Sequence, residues 1–576
     1  MTLPSLLLPL CLSVFAQDAP AQETAPVPPP GPTWRSIEEC TIEGRAWEEL
    51  AAPYDRLPAK CEGLVRGPVW NLQQDSAGIC ARFTTNAKEI QGRWTLTSDD
   101  LAMPHMPASG VSGLDLYGRD ETGSWRWVGA TKPTAVQNTA KLATGLDGKE
   151  REYMLYLPLY NGVKSVELGL PAGASFSQGA PRLQGREKPV VYYGTSITHG
   201  GSASRPGMGH PAMLGRWLDR PFVNLGFSGN GRMDLELAPI IGEIDAAAFV
   251  IDCLPNMNAG TLSQRAVPFV RALRSARPDT PIVLVEDRSY TGSSFRKGQR
   301  DRQSKSRAAL RKAFATLTEE GIQGLTYLEG SNLLGHDGEG AVDGSHPTDL
   351  GFMRQAKAFE PVLRGVLDQP KPLRVLILGD SISIGYTPHV RQALKGQAIV
   401  VRASRGGDDR RTENCAGTTK GVRQIDRWLA QDGGSWDVIH FNFGLHDLKR
   451  VHPETRANSN DPAHPRQAEP AQYEANLRKI VERLQATGAT LIFATTTPVP
   501  EGVKPMRDVA DGPRYNAIAT GIMAEAGIAV NDLFAHVEEN GARYQRPADV
   551  HFKPAGSKRL AAKVAAAILA VSEAGR

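Results

Sequence analysis

The sequence predicts an α/β protein in which two three-layer, parallel-sheet domains stand behind an antiparallel β-sandwich. Three observations predict it. Short apolar runs alternate with amphipathic helical segments twice over, within 187–369 and within 373–576. That is the pattern of a parallel sheet covered on both faces. Residues 34–186 instead alternate apolar and polar side chains over short stretches broken by turn residues, with no long helix between them, as in a sandwich. Finally, VLILGDSISIGY at 375–386 has a near copy, VVYYGTSITHGG, at 190–201. Each is an apolar strand running into a Ser-bearing turn and a helical segment.

Bulk properties agree with this count. A chain of 576 residues suggests three or four domains at about 150 residues each. A net charge of +4 gives no concentrated basic face for nucleic acid. The N-terminus, MTLPSLLLPLCLSVFAQ, carries an apolar run ending in Val14-Phe15-Ala16. The run falls short of the roughly 20 residues a membrane span needs, and 1–16 reads as a signal peptide. No later apolar run is long enough to span. The localisation expected is therefore extracytoplasmic, periplasmic or secreted. Ala and Pro dominate 17–33, the composition of an extended linker. Beyond the signal stand Cys40, Cys61, Cys80, Cys253 and Cys415. An odd count leaves at least one thiol unpaired, and export would permit a disulfide among the first three without fixing which. No Cys-x-x-Cys pair or His/Cys cluster argues for zinc, and no cofactor is expected.

In chain order, strands are predicted at 79–83, 90–96, 153–159 and 163–170 of the sandwich. The first α/β domain, 187–369, has strands at 190–193, 248–251 and 281–285. It closes with a helix over 351–367 whose apolar face includes Phe352, Ala356, Phe359, Leu363 and Val366. A Pro-containing joint at 370–372 follows. The second, 373–576, has strands at 375–378, 437–441 and 490–495 and a closing helix bearing Leu560, Val564 and Ile568.

In a parallel α/β domain, reactive groups gather at the carboxyl ends of the strands. Ser196 follows the first strand of its domain. Asp343-Gly344-Ser345-His346 lies near that domain's end. An Asp three residues before a His, in a tight Gly-containing loop, can turn its carboxylate to the imidazole Nδ1 and leave Nε2 to face Ser196. A nucleophilic Ser needs such a base, a group to orient it, and donors for the oxyanion. Each residue alone has a plainer reading: Ser196 as a helix cap, Asn256 as another, Gly229 as a turn residue. Their order along the chain favours catalysis.

These segments resemble the SGNH, or GDSL-type, hydrolases, a flavodoxin-like fold with a Ser-bearing first block and a final Asp-x-x-His. The resemblance implies that Gly229, within Asn224-Leu-Gly-Phe-Ser-Gly229, and Asn256, within Asp252-Cys-Leu-Pro-Asn256, are oxyanion donors. The domain departs from the family in carrying Thr195 where Asp is usual. Gly113-Leu-Asp-Leu-Tyr117 likewise resembles the Gly-x-Asp-Leu-Tyr motif of a β-domain that precedes some SGNH esterases. Asp115 and Tyr117 read as structural hairpin residues.

The second domain carries Gly379-Asp380-Ser381, with Ser381 the nucleophile. Its last block is Asp549-Val550-His551, with the acid only two residues before His551. In the third block, Gly-x-Asn-Asp becomes Gly444-Leu445-His446-Asp447. A neutral His446 can donate an N–H as an amide does, and Asn442 is the weaker substitute. For the second block, Gly417 is favoured over Gly406 and Gly407. The Arg-rich run 405–411 reads as a solvated loop, since its charges nearly cancel.

The resemblance implies a metal-independent serine ester hydrolase acting on an acylated carbohydrate, most simply a polysaccharide acetyl ester. Two rivals stand beside it. One is a lipase or lysophospholipase of the same mechanism. The other is a carbohydrate-binding protein whose α/β domains do no chemistry.

Overall fold

The structure is a computed structural model that describes residues 31–368, 372–406, 409–540 and 542–574. The signal peptide, most of the linker at 17–33, most of the joint at 370–372 and Gly407 lie outside the described residues.

Period-2 alternation builds the sandwich. Along Glu89–Leu96 the side chains of Ile90, Trp94 and Leu96 are buried, while Arg93 between them is exposed. One sheet orders Thr33–Ser36, Val163–Leu170, Glu89–Leu96 and Gln137–Thr144. The other runs through Ser177–Gln178, Cys80–Thr85, Arg151–Tyr156, Asp115–Arg119 and Trp125–Ala130, with Thr41–Glu43 beside Cys80–Thr85. All pairings are antiparallel. The inner faces share a core around Phe83, Trp94, Leu116 and Leu155.

Both α/β units have five parallel strands in the order second, first, third, fourth, fifth. In the first, Val190–Gly194 lies between Phe222–Gly226 and Ala248–Asp252, followed by Ile282–Val285 and Leu325–Leu328. In the second, Leu373–Leu378 lies between Ala398–Arg402 and Val438–Phe441, followed by Thr490–Ala494 and Ala529–Asn531. Strands buried on both faces need continuous apolar runs, and Val190–Gly194 is buried throughout. The strand order reverses beside the first strand in each unit, the position where an open α/β sheet leaves a crevice at its carboxyl edge.

The sandwich packs on the first α/β unit through buried polar ties. Asp115 is fully buried; its Oδ2 accepts from Arg205 Nη1 and from the Gly207 amide, both at 2.8 Å. Arg205 Nη1 also donates to the Tyr117 hydroxyl at 2.6 Å. Asp115 and Tyr117 are therefore structural, and they anchor the next domain in addition to belonging to their own hairpin. Arg56, also buried, donates to the carbonyls of Asn224 and Gly226 at 3.1 and 2.7 Å. The sandwich also touches the second α/β unit, where Arg186 Nη2 donates to Gly396 O at 2.8 Å. The five described cysteines are all buried and free, so no disulfide joins Cys40, Cys61 and Cys80.

Candidate active sites

A Gly ends the first strand of the first unit and directly follows that of the second, and each admits the following turn at close range. A Cβ on Gly194 would lie 2.0 Å from Thr198 Oγ1, and one on Gly379 would lie 2.8 Å from Ser383 Oγ. The next residue caps the short helix that begins at the Ser. Thr195 Oγ1 accepts from the Ile197 amide at 3.3 Å, and Asp380 Oδ1 accepts from the Ile382 amide at 2.9 Å. The Asp-to-Thr departure thus keeps the cap, which either side chain can make.

In the first unit, Ser196 Oγ lies 2.8 Å from His346 Nε2. His346 Nδ1 lies 2.7 Å from Asp343 Oδ2, and Asp343 Oδ1 accepts from the amides of Ser345 and His346 at 2.9 and 2.7 Å. Burial pushes the Asp343 carboxyl upward, but these bonds outweigh it and hold the group down to about 2. It is therefore an anion at any working pH. Gly344, at φ +82°, makes the tight turn that lets one carboxylate reach both its own loop and the ring.

The flanking strands deliver the remaining groups. Gly194 pairs with Gly226 on one side and with Asp252 on the other, so the loops leaving those strands start beside Ser196. Phe227 N donates to Gly194 O at 3.0 Å, and Gly229 follows two residues later at φ +67° and exposed. Asn256 ends the turn Leu254–Asn256 after the other strand. Its Nδ2 is buried and has no hydrogen-bond partner among the described residues.

The second unit repeats this geometry. Ser381 Oγ lies 2.8 Å from His551 Nε2, and His551 Nδ1 lies 2.6 Å from Asp549 Oδ1. The two-residue offset suffices because Asp549 Oδ1 also accepts from the His551 amide at 3.1 Å, which folds the carboxylate back toward the ring. Burial raises the Asp549 carboxyl, but the His551 amide and ring bring it below the usual range.

The second block is interrupted by a hairpin, Ser404–Gly406 with Asp409–Thr412. The chain returns at Cys415, whose amide donates to Gly379 O at 3.1 Å. Phe227 makes the same bond in the first unit. Gly417, two residues past Cys415, thus stands where Gly229 stands, and Gly406 belongs to the hairpin. Asn442 is committed elsewhere: its Nδ2 donates to Ala494 O at 2.7 Å. His446 is partly buried. Burial first, then the charges of Lys449 and Arg507, hold its imidazole down to about 3, so it is neutral. Asp447 beside it is fully buried and accepts from the Thr418 amide at 2.9 Å and the Thr418 hydroxyl at 2.7 Å. It fixes the helix that follows Gly417.

Several neighbours were not legible in the sequence. Arg288, buried, donates through Nε to Ser345 O at 2.9 Å, and its Nη2 meets Ser345 Oγ. It clamps the loop that carries His346. The sandwich supplies two more. Tyr160 donates its hydroxyl to Ser196 O at 3.3 Å, and the exposed ring of His105 stands 6.1 Å, centroid to centroid, from that of His346. The first site is thus bordered by two domains. An alternation pattern cannot show which loop of a sandwich will lie against a site in the next domain.

Residues 187–364 and 377–559 each match a sequence profile described as the GDSL-like lipase/acylhydrolase family. Residues 32–176 match one described as the N-terminus of SGNH-hydrolase-type esterases. Among solved structures, a protein of Bacteroides ovatus ATCC 8483 described as a GDSL-like lipase is 34% identical, with a TM-score of 0.56. The match covers 58% of this chain and 98% of that one. A salicylyl-acyltransferase from a tetracycline biosynthetic pathway is 19% identical, TM-score 0.48, covering 58% and 98%. An acetyl xylan esterase from the rumen bacterium Butyrivibrio proteoclasticus is 12% identical, TM-score 0.38, covering 58% and 99%. None of the curated proteins matches the chain.

Proposed function

The chain belongs to the GDSL-like lipase/acylhydrolase family, and from that premise we propose a serine ester hydrolase with two active sites, acting on O-acetylated carbohydrate. The observation that carries the reading is the pair of Ser–His–Asp chains, Ser196–His346–Asp343 and Ser381–His551–Asp549. In both, Oγ to Nε2 is 2.8 Å and the carboxylate stands behind Nδ1.

The chemistry follows from the geometry. His Nε2 takes the Oγ proton as Oγ attacks the ester carbonyl, and the carbonyl electrons move onto oxygen. The oxyanion is met by the Ser amide, by the amide of Gly229 or Gly417, and by Asn256 Nδ2 or an N–H of neutral His446. Preorganised donors of this kind supply the largest part of such catalysis. The imidazolium is stabilised by Asp343 or Asp549 and gives its proton to the leaving alcohol oxygen as the ester C–O bond breaks. Water then loses a proton to His Nε2 and attacks the acyl-enzyme. The acid departs and Oγ regains its proton.

Support for a carbohydrate alcohol comes from what borders the first site. The exposed imidazole of His105, standing beside His346, is a polar neighbour that suits a hydroxyl-rich alcohol better than an alkyl chain. Among the described residues no helix is long and apolar enough to cross a membrane. An export signal at 1–16 would place the enzyme where polysaccharide is found.

The test compares the parent, Ser196→Ala, Ser381→Ala and the double variant on aryl acetate, a long-chain aryl ester and acetylated xylan. Each single variant should keep part of the acetate release and the double variant should lose it. Faster turnover of the long-chain ester would favour a lipase instead. Full activity in the double variant would remove both nucleophiles from consideration.

A further inference from the structure

The second site holds two cations that ester hydrolysis does not require. Arg507 lies between the strand Thr490–Ala494 and the helix Asp511–Ala526 and is 8% exposed. Its Nε donates to Leu445 O at 2.7 Å and its Nη1 to Pro505 O at 3.0 Å. Leu445 immediately precedes His446, so the guanidinium is fixed against the loop that presents the oxyanion donor. Both bonds go to neutral carbonyls. Among the described residues, Nη2 has no hydrogen-bond partner and Arg507 makes no ion pair. Lys449, three residues past His446, is partly buried and also makes no ion pair among the described residues.

These charges share one neighbourhood. After burial, Arg507 is the chief influence lowering Lys449, and both lower His446. Asp380 and Asp549 act on Arg507 from a distance, and Asp447 acts on Lys449, but each is committed: Asp380 to the Ile382 amide, Asp549 to His551, Asp447 to Thr418. Lys420, a further cation acting on His446, is paired with Glu413 at 2.7 Å. The first site differs here. Its buried arginine, Arg288, is spent on Asp287 and Ser345. A buried cation without an anion is costly to the fold, and Arg507, held against the loop of His446 with Lys449 as a second cation acting on it, invites a compensating ligand.

We propose that Arg507 Nη2 and Lys449 Nζ form a carboxylate-binding subsite, so that the second active site takes O-acetyl esters of uronic acid residues while the first takes neutral sugars. The assignment rests on the second site being an ester hydrolase, and the carboxylate sits in the alcohol portion of the ester. The charged pair would contribute a charge-assisted bidentate contact.

The experiment uses the full chain with Ser196→Ala, so that only Ser381 turns over. The substrates are methyl 4-O-acetylglucuronoside and methyl 4-O-acetylglucoside. We expect kcat/KM to favour the uronate by about 10- to 100-fold, the range of one to two charge-assisted bonds. That preference should shrink with added salt and fall to about threefold or less in Lys449→Ala and in Arg507→Gln. Equal kcat/KM for the two sugars overturns the proposal. So does a preference for 4-nitrophenyl hemisuccinate over the acetate that matches the sugar preference, because the anion would then lie on the acyl side. If Ser196→Ala shows no turnover at all, the hydrolase reading of this site fails. The subsite is then judged by binding to the Ser196→Ala/Ser381→Ala protein. Methyl glucuronoside binding more tightly than methyl glucoside, with the difference lost in Lys449→Ala, upholds it, and indifference between the two overturns it.

Discussion

Asn256→Ala, made in the Ser381→Ala background so that only the first site reports, separates a catalytic donor from a structural one. Asn256 Nδ2 is buried with no hydrogen-bond partner among the described residues. An unsatisfied buried donor costs about 1–3 kcal/mol. Removing it should therefore leave the fold as stable as before, or slightly more stable, once the small loss of packing is offset. Against the transition state the same N–H meets a developing negative oxygen, and losing one such donor raises the barrier by about 2.7–4 kcal/mol. The expectation is a 10²- to 10³-fold fall in kcat on 4-nitrophenyl acetate, with KM within about threefold of the parent. The thermal midpoint should move by less than about 2 °C, given about 2–4 °C per kcal/mol in a domain of this size. A cap or core residue would give the opposite pair, a midpoint lowered by about 5 °C or more with turnover largely kept. That result would refute the assignment of Asn256 to the oxyanion and with it the reading of its unpaired amide.

The remaining expectations are briefer. Arg288→Met should lower kcat of the first site by about tenfold or more and shift the urea midpoint down, since breaking a buried charged pair costs about 3–5 kcal/mol; unchanged kinetics would show that the His346 loop holds itself. In the Ser196→Ala background, His446→Ala should cut turnover by about 100-fold, as for other oxyanion donors, and His446→Asn should restore most of it; no difference between Ala and Asn would exclude donation from this position. Burial holds His199 well below 6.5, His210 and His446 at about 3, and His440 at about 4. The unfolded chain then binds protons that the fold refuses, so stability is complete above about pH 6.5 and falls toward pH 4 at about 1.4 kcal/mol per pH unit for each histidine; a flat thermal midpoint between pH 7.5 and 4.5 would contradict this. Cys40, Cys61, Cys80, Cys253 and Cys415 are buried and free, and burial raises Cys61 and Cys415 to about 11. They should resist a thiol reagent in the native protein and all react in denaturant, and fast labelling without denaturant would show that the core opens.

What could be read from the sequence was local. A strand buried on both faces has to be an apolar run, so 190–193 and 375–378 were visible; the structure has Val190–Gly194 and Leu373–Leu378. Asp343 and His346 were visible because three residues of chain bound the distance between them. Asp549 was less so, because its two-residue offset reaches the ring only when the His551 amide turns the carboxylate back. The unseen groups come from far away in the chain. Arg288 meets Ser345 across 57 residues, Tyr160 meets Ser196 across 36, and Arg507 meets Leu445 across 62. No periodicity encodes such pairings; they depend on which crossover loops the sheet order places side by side. The Asp115 and Tyr117 motif is an intermediate case. Its residues stood out, but their common partner Arg205, 90 residues downstream of Asp115, gives them their purpose.

In the proposed mechanism the two sites differ at the oxyanion donor rather than at the nucleophile, and that difference carries its own physical consequence. An amide donor such as Asn256 is neutral at every pH and needs no protection. An imidazole donates in either state, but as a cation beside His551 it would oppose the positive charge that His551 must take up when it accepts the Ser381 proton. Replacing the amide with His446 therefore demands an environment that keeps the ring neutral. Burial does most of this, and Lys449 and Arg507 complete it. Those same cations make the site electropositive. Asp549 supplies one negative charge from behind. A carboxylate on the substrate would supply another on the side of Arg507 and Lys449, as the proposed subsite requires. In the first site, where Asn256 asks for no such environment and Arg288 is already paired, a neutral ester meets no electrostatic penalty.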